Sequence, residues 1–186
     1  MVRAIIEGRK TQTRRVVKHV VWNYKKPPYD AQTFMDINPV HREHPDGLCP
    51  YGDPGDLLWV RESFVTTPAY DGLGSTDVLY REDPMYDGMQ PGDFAWRWKP
   101  SIHMPRKFSR ITLRITGVRV QRVREITDEE AIAEGVQVAG RPEVNELSQG
   151  KFVHAFGSLW DSINAKRSYS WESNPWVWAI SFEVVK

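Results

Sequence analysis

Cysteine is almost missing from this chain: its 186 residues contain one, Cys49. A single cysteine excludes an intrachain disulfide framework and fits a reducing, cytoplasmic setting. Long apolar runs are missing as well. Nothing approaches the ~18 consecutive apolar residues of a membrane helix, so no membrane span is expected, and the opening residues do not read as a secretory leader. Net charge is close to nil, with 25 Lys and Arg against 24 Asp and Glu, which excludes a protein that coats nucleic acid by bulk electrostatics alone. No internal repeat is visible. What is present in quantity is tryptophan, eight residues alongside seven Tyr and seven Phe. With 40% hydrophobic and 26% charged residues, the composition is that of one globular domain, residues 1–186, large enough to bury a core.

The neutral sum conceals segregation. Met1 to Tyr29 holds eight basic residues and one acid, and Asp30 to Asp93 holds thirteen acids against three bases. Arg97 to Arg124 holds nine bases and no acid, and Glu125 to Gly150 reverts to seven acids and one base. Such blocks are ordinarily solvated faces. The alternative is that the two basic blocks converge on one cleft for an anionic ligand, with Trp available to stack on a base.

Periodicity and turn signals give the coarse organisation. Val2, Ala4, Ile5 and Ile6 followed by Gly8 predict a short helix with a glycine C-cap. The β-branched stretch Thr13 to Trp22 predicts one or two strands, and Asp56 to Glu62 predicts another, entered through the turn Asp53-Pro54-Gly55. Two irregular insertions are expected, at about 24–54 and 66–91, with Val78-Leu79-Tyr80 the only strand-like piece of the second. Alternation over Ser109 to Arg124 predicts a strand, and a second twisted one after Gly117. Ile126 to Gly135 is the clearest helix: Thr127 caps it, Glu130 completes a capping box and Gly135 ends it. Phe152, Val153, Phe156, Leu159, Trp160 and Ile163 mark an amphipathic helix of about three turns. Pro175 to Val185 is apolar on both faces and therefore a central strand. The sum is an α+β fold, mainly β: a small β-barrel decorated by two or three helices.

The densest polar constellation is Gly8-Arg9-Lys10-Thr11-Gln12-Thr13-Arg14-Arg15. It lacks the second glycine of a P-loop and does not follow a strand, so it is no phosphate cradle of that kind. A lysine and a hydroxyl three residues apart can still act as base and nucleophile, provided burial or neighbouring positive charge, which Arg9, Arg14 and Arg15 can supply, lowers the lysine pKa. His41, His44 and Cys49 offer three metal-ligand types, but no fourth falls at convincing spacing, and no metal is expected. Alternation puts Glu62 on the face of Val60, where it touches a base edge or pairs with Arg15. Trp160, Trp176 and Trp178 lie on apolar faces and are assigned to the core, while Trp22, Trp96 and Trp171 stay unassigned.

The Gly8–Arg15 run, with Pro54-Gly55-Asp56-Leu57-Leu58-Trp59-Val60-Arg61-Glu62, resembles the ASCH domain family. Two further motifs, Trp98-Lys99-Pro100-Ser101-Ile102-His103-Met104-Pro105-Arg106 and Asn174-Pro175-Trp176-Val177-Trp178, resemble its phage and prophage branch. The resemblance spans essentially the whole chain. It departs at the start, where relatives carry a short apolar strand ahead of the first helix. It implies a PUA-like β-barrel and an amidohydrolase that removes the acyl group from N4-acetylcytidine and related nucleosides, with no cofactor. It also implies a reactive set of Lys10, Thr13 and Glu134. Arg9, Thr11, Arg15, Trp59, Glu62, Trp98 and His103, in or beside the motifs, are the candidate substrate contacts. The expected partner is a small modified nucleoside. RNA is a further possible ligand, because a non-catalytic RNA-binding module or a ribonuclease of PUA-like fold is the main alternative, and a phage accessory or morphogenesis protein is the other.

Overall fold

The computed structural model describes residues 1–18, 49–68, 76–87, 97–138 and 150–185. Helix α1 (Val2–Ile6) is followed by strand β1 (Gln12–Val16). Next come β2 (Leu57–Trp59), β3 (Phe64–Pro68) and β4 (Thr76–Tyr80). The long β5 (Thr112–Arg122), helices α2 (Asp128–Ala133) and α3 (Lys151–Asn164), and β6 (Trp176–Val184) complete the order. Four strands form one antiparallel sheet in the order β1-β6-β5-β2, and β3 pairs with β4 in a second. The result is an α+β protein, mainly strands, whose larger sheet curls into a half-barrel with few helices. Among the described residues no helix is long and apolar enough to cross a membrane.

The apolar closing strand is central, as its composition requires. All five residues from Trp176 to Ile180 are buried. Strand alternation sends Trp176, Trp178 and Ile180 into one core with Val17, Cys49, Ile115 and Val120, while Val177 joins Phe152, Phe156 and Trp160 beneath the helices. A third cluster holds Ile5, Ile111, Leu113 and Phe182. The three tryptophans assigned to the core are all buried, and Trp171, unassigned from sequence, packs its ring over Gly157. A side chain at Gly157 would meet that ring at 3.2 Å.

Several expectations need correction. The two strands expected across Ser109 to Arg124 are one, β5, with a β-bulge at Thr116: Ile115 pairs with Phe182 and Gly117 with Ser181. The extra residue raises the local twist without ending the strand. The strand expected over Asp56 to Glu62 is ordered as β only at Leu57–Trp59, opposite Thr112–Arg114. Val78 to Tyr80 is not alone: β3 pairs with β4 residue for residue, Phe64 with Tyr80 and Val65 with Leu79. The β1 signal is ordered to Val16, and its continuation past Lys18 lies outside the described residues, as do most of the two insertions.

The helix boundaries were legible. The Thr127 hydroxyl accepts from Glu130 N–H and the Glu130 carboxylate accepts from Thr127 N–H, both at 3.3 Å, which is the capping box. Asp128 is buried because its carboxylate ties α2 to the start of α3, accepting from Gly150 N–H and Val153 N–H. Both devices fix the run of chain that carries Glu134.

Candidate active site

Lys10 sits in the short connection between α1 and β1. Its N–H donates to Ala4 O at 2.9 Å, and Thr11 N–H donates to Ala133 O at 2.8 Å. Lys10 and Glu134 thereby form an isolated antiparallel bridge. Gly135 makes the approach possible. Its φ of +85° is the left-handed conformation that closes α2, and a Cβ there would lie 3.2 Å from the Cβ atoms of both Ala4 and Lys10. Two segments 124 residues apart are pressed together at a glycine.

Lys10 is 4% exposed and Glu134 8%. The lysine Nζ donates to Glu134 Oε2 at 2.6 Å and to the Glu134 carbonyl at 2.8 Å. Arg14 completes the clamp: it donates to Glu134 Oε1 at 3.2 Å, to Glu130 Oε2 at 2.6 Å and to Gln12 Oε1 at 2.7 Å. Glu130 also pairs with Arg119. Lys10, Gln12 and Arg14 share one side of the strand, as a period of two requires, and Phe156 of α3 lies 5.8 Å beneath the Arg14 guanidinium.

Charge in this cluster does not balance. Arg14 and Arg119 are permanently cationic and offset Glu130 and Glu134, so a protonated Lys10 is one buried positive charge too many. Burial, the largest influence, pushes the Lys10 pKa down. Glu134 opposes it, and Arg15 and Arg14 push the same way as burial. Two of the amine's positions are taken by Glu134. The third, a lone pair in the neutral amine, is left for another partner.

A cavity of about 360 Å³ borders this cluster, a volume within the range of small-molecule sites. Lys10, Thr13 and Glu134 all line it, together with Arg14 and Arg15. Thr13 lies on the opposite face of β1 from Arg14, opposite Ile180. It is nonetheless among the cavity's lining residues, and β1 is an edge strand of the described sheet. The far wall is α3, through Phe156, Leu159, Trp160 and Ile163. Leu159 and Ile163, read from sequence as part of an apolar packing face, are each 46% exposed.

The substrate contacts expected from sequence are split. Arg15 lines the cavity. Arg9 pairs with Glu7, and Thr11 turns its side chain to solvent while its backbone bonds Ala133 and Phe182. Trp59, Glu62, Trp98 and His103 are not among the cavity's lining residues. Trp59 carries the Arg61 guanidinium 4.6 Å above its ring. Trp98 packs edge-on against Tyr86 at 5.2 Å, and His103 is exposed at the end of the 3-10 turn Ser101–His103. Glu62 does not pair with Arg15: its carboxylate, 0% exposed, takes a two-pronged bond from Arg110 at 3.0 and 2.8 Å.

Among the described residues the two basic blocks meet only where Arg14 and Arg119 share Glu130, and they do not converge on the cavity. Lys10, Arg14, Arg15 and Lys18 of the first line the cavity, and no residue of Arg97 to Arg124 is among its lining. In that second block Arg110, Arg114 and Arg119 are committed to Glu62, Glu183 and Glu130. Of the zinc-like triplet, Cys49 is buried in a hydrophobic cluster, and His41 and His44 lie outside the described residues.

Sequence reasoning named Arg14 and Arg15 as positive charges that lower the Lys10 pKa, as they do, but it missed the bond from Arg14 to Glu134 and the part that Glu130 and Arg119 play in the cluster. The signal for Arg14 was available, since Lys10, Gln12 and Arg14 fall at strand spacing. Nothing in the sequence announced that Arg119 would meet Glu130. Compared with family models, curated proteins and solved structures, the chain matches none.

Proposed function

We propose that this chain is an amidohydrolase of ASCH type, built on a PUA-like barrel, that cleaves the N4-acyl amide of N4-acetylcytidine and related nucleosides. One observation carries the reading: Lys10, Thr13 and Glu134, named from a motif resemblance, border one cavity of small-molecule size. The charge arithmetic gives the set its chemistry. Neutral Lys10 accepts the Thr13 hydroxyl proton as Oγ1 attacks the acyl carbonyl carbon. The register of β1 turns Thr11 and Val17 toward β6, so Arg14 N–H points to the open edge beside Thr13, and we assign it as the oxyanion donor.

Collapse of the tetrahedral adduct breaks the carbon–N4 bond. Protonated Lys10 returns its proton to the departing exocyclic amine, leaving an acyl ester on Thr13. Water, with its proton taken by Lys10, then releases the acid and restores the hydroxyl. Proton transfer of this kind contributes on the order of 10²–10⁴-fold. Glu134, bonded to both Lys10 and Arg14, orients the amine and compensates its charge when it carries the proton.

The test is the absorbance change on converting N4-acetylcytidine to cytidine. Wild type is expected to turn over, Thr13→Ala and Lys10→Ala not. Full deacylation by Lys10→Ala overturns the assignment.

A further inference from the structure

The cavity has a graded lining. Its deep part consists of buried groups, Lys10, Arg14, Glu134, Phe156 and Trp160. Its outer part carries Arg15, Lys18 and Arg167, all exposed. These three come from different places: Arg15 from β1, Lys18 from just beyond it, and Arg167 from the 3-10 turn that follows α3. None has a side-chain hydrogen bond or ion pair among the described residues. That separates them from Arg3, Arg9, Arg14, Arg110, Arg114 and Arg119, each of which has a carboxylate partner. The one carboxylate among the described lining residues, Glu134, is buried and already shared by Lys10 and Arg14. Three unpaired cations held around the mouth of a cavity with an aromatic wall form a site for a ligand with a planar apolar part and an anionic end.

We infer that the cavity takes its pyrimidine as a 5′-phosphorylated mononucleotide, with the base against Phe156 and Trp160 and the phosphate between Arg15, Lys18 and Arg167. The identity of the base rests on the proposed function; the phosphate rests on the cavity's rim. A phosphate carries about two negative charges near neutral pH, so it can engage more than one of these cations, which an uncharged nucleoside cannot. A cavity of about 360 Å³ suits one nucleotide rather than a strand.

Isothermal titration of the full chain with cytidine 5′-monophosphate, cytidine, inorganic phosphate and a short single-stranded RNA tests this at low salt. We expect the monophosphate to bind about 10- to 100-fold more tightly than cytidine. The double variant Arg15→Gln/Arg167→Gln, altered only at exposed side chains, should lose that advantage. The double variant Arg106→Gln/Lys107→Gln, two exposed cations away from the cavity with the same charge change, should keep it. Equal affinity for the two ligands, no measurable binding of the monophosphate, or an advantage that survives Arg15→Gln/Arg167→Gln overturns the inference. So does an RNA that binds more tightly than the monophosphate with a salt slope of several phosphates. Deacylation is read separately. If N4-acetylcytidine and its 5′-phosphate are both left intact while the monophosphate keeps its advantage, the amidohydrolase reading fails and the phosphate site stands. If both are cleaved and the advantage is absent, the reverse holds.

Discussion

Two buried carboxylates in this molecule sit among arginines, yet their cationic partners are driven in opposite directions. Around Glu62 one cation faces two acids: Arg110 bonds Glu62 through two nitrogens and Asp83 through a third, over the Tyr80 ring at 4.1 Å. Burial works against the Arg110 charge, but the bonds to Glu62 and Asp83 prevail and raise its pKa. Around Glu134 three cations face two acids, and the lysine, the only one of the three able to give up a proton, has its pKa lowered, chiefly by burial and further by Arg15 and Arg14, against the pull of Glu134. A surplus of acid makes a structural clamp. A buried lysine with no surplus of acid, beside a cavity, is the proposed proton acceptor.

The largest expected effect separates the two clusters by function. Lys10→Ala should lower kcat for N4-acetylcytidine by at least ~10³-fold, since it removes the proposed base for both half-reactions. Glu62→Ala should leave kcat within a few-fold of wild type in the same assay at a temperature where it is folded. If instead Glu62→Ala matches Lys10→Ala in a folded protein, the distinction between clamp and site collapses.

Stability should divide the clusters the other way. Removing one partner of a buried ion pair costs about 3–5 kcal/mol, and Arg110, 31% exposed, can be partly rehydrated, so Glu62→Ala should fall near 3 kcal/mol. In a chain of this size that lowers Tm by roughly 6–12 °C. Replacing the pair together, Glu62→Leu with Arg110→Met, should recover much of the loss. Thermal denaturation of the single and double variants measures both.

A subtler test concerns Lys10 protonation. Arg14→Met removes a like charge that pushes the Lys10 pKa down, so that pKa should rise and the acidic limb of the kcat/KM profile should move to higher pH. An unmoved limb would detach Arg14 from Lys10. Stability carries the same signature. Because the folded pKa of Lys10 is lowered from 10.5, the unfolded chain binds more protons between the folded value and 10.5. Burial of the ammonium therefore costs stability below that window, and stability rises with pH across it. Lys10→Met should flatten this rise in denaturation midpoints measured against pH.

Much of this contrast was legible in the sequence, and the illegible part has a physical reason. Local signals held where a residue's neighbours along the chain decide its state. The Thr127–Glu130 capping box, the glycine ends at Gly8 and Gly135 and the doubly apolar β6 are of this kind. The bulge that makes β5 one strand depends on its register with β6, and β3 is defined by its pairing with β4, so neither was apparent. The motif named Lys10, Thr13 and Glu134, but it also drew in Trp59, Trp98 and His103, which lie outside the cavity lining. Proximity in a motif is not proximity in space. Strand alternation placed Glu62 inward correctly, yet its partner, Arg110, lies 48 residues away, and no one-dimensional pattern distinguishes Arg110 from Arg15.

The smallest expected effect tests whether α2 couples mechanically to the Lys10–Glu134 cluster. Thr127 caps the helix whose far end delivers Glu134 to Lys10, and losing such a cap costs about 1 kcal/mol. Thr127→Ala should therefore lower Tm by roughly 2–4 °C. Fraying at the start of α2 also loosens Glu130, which holds Arg14 and Arg119, so kcat should fall a few-fold while the Glu62–Arg110 clamp is untouched. Thr127→Ser preserves the hydroxyl and should restore both quantities. If Thr127→Ala lowers Tm by the expected amount and leaves kcat unchanged, Glu130 and Arg14 are fixed by their own ion pairs, and the helix serves only to carry them.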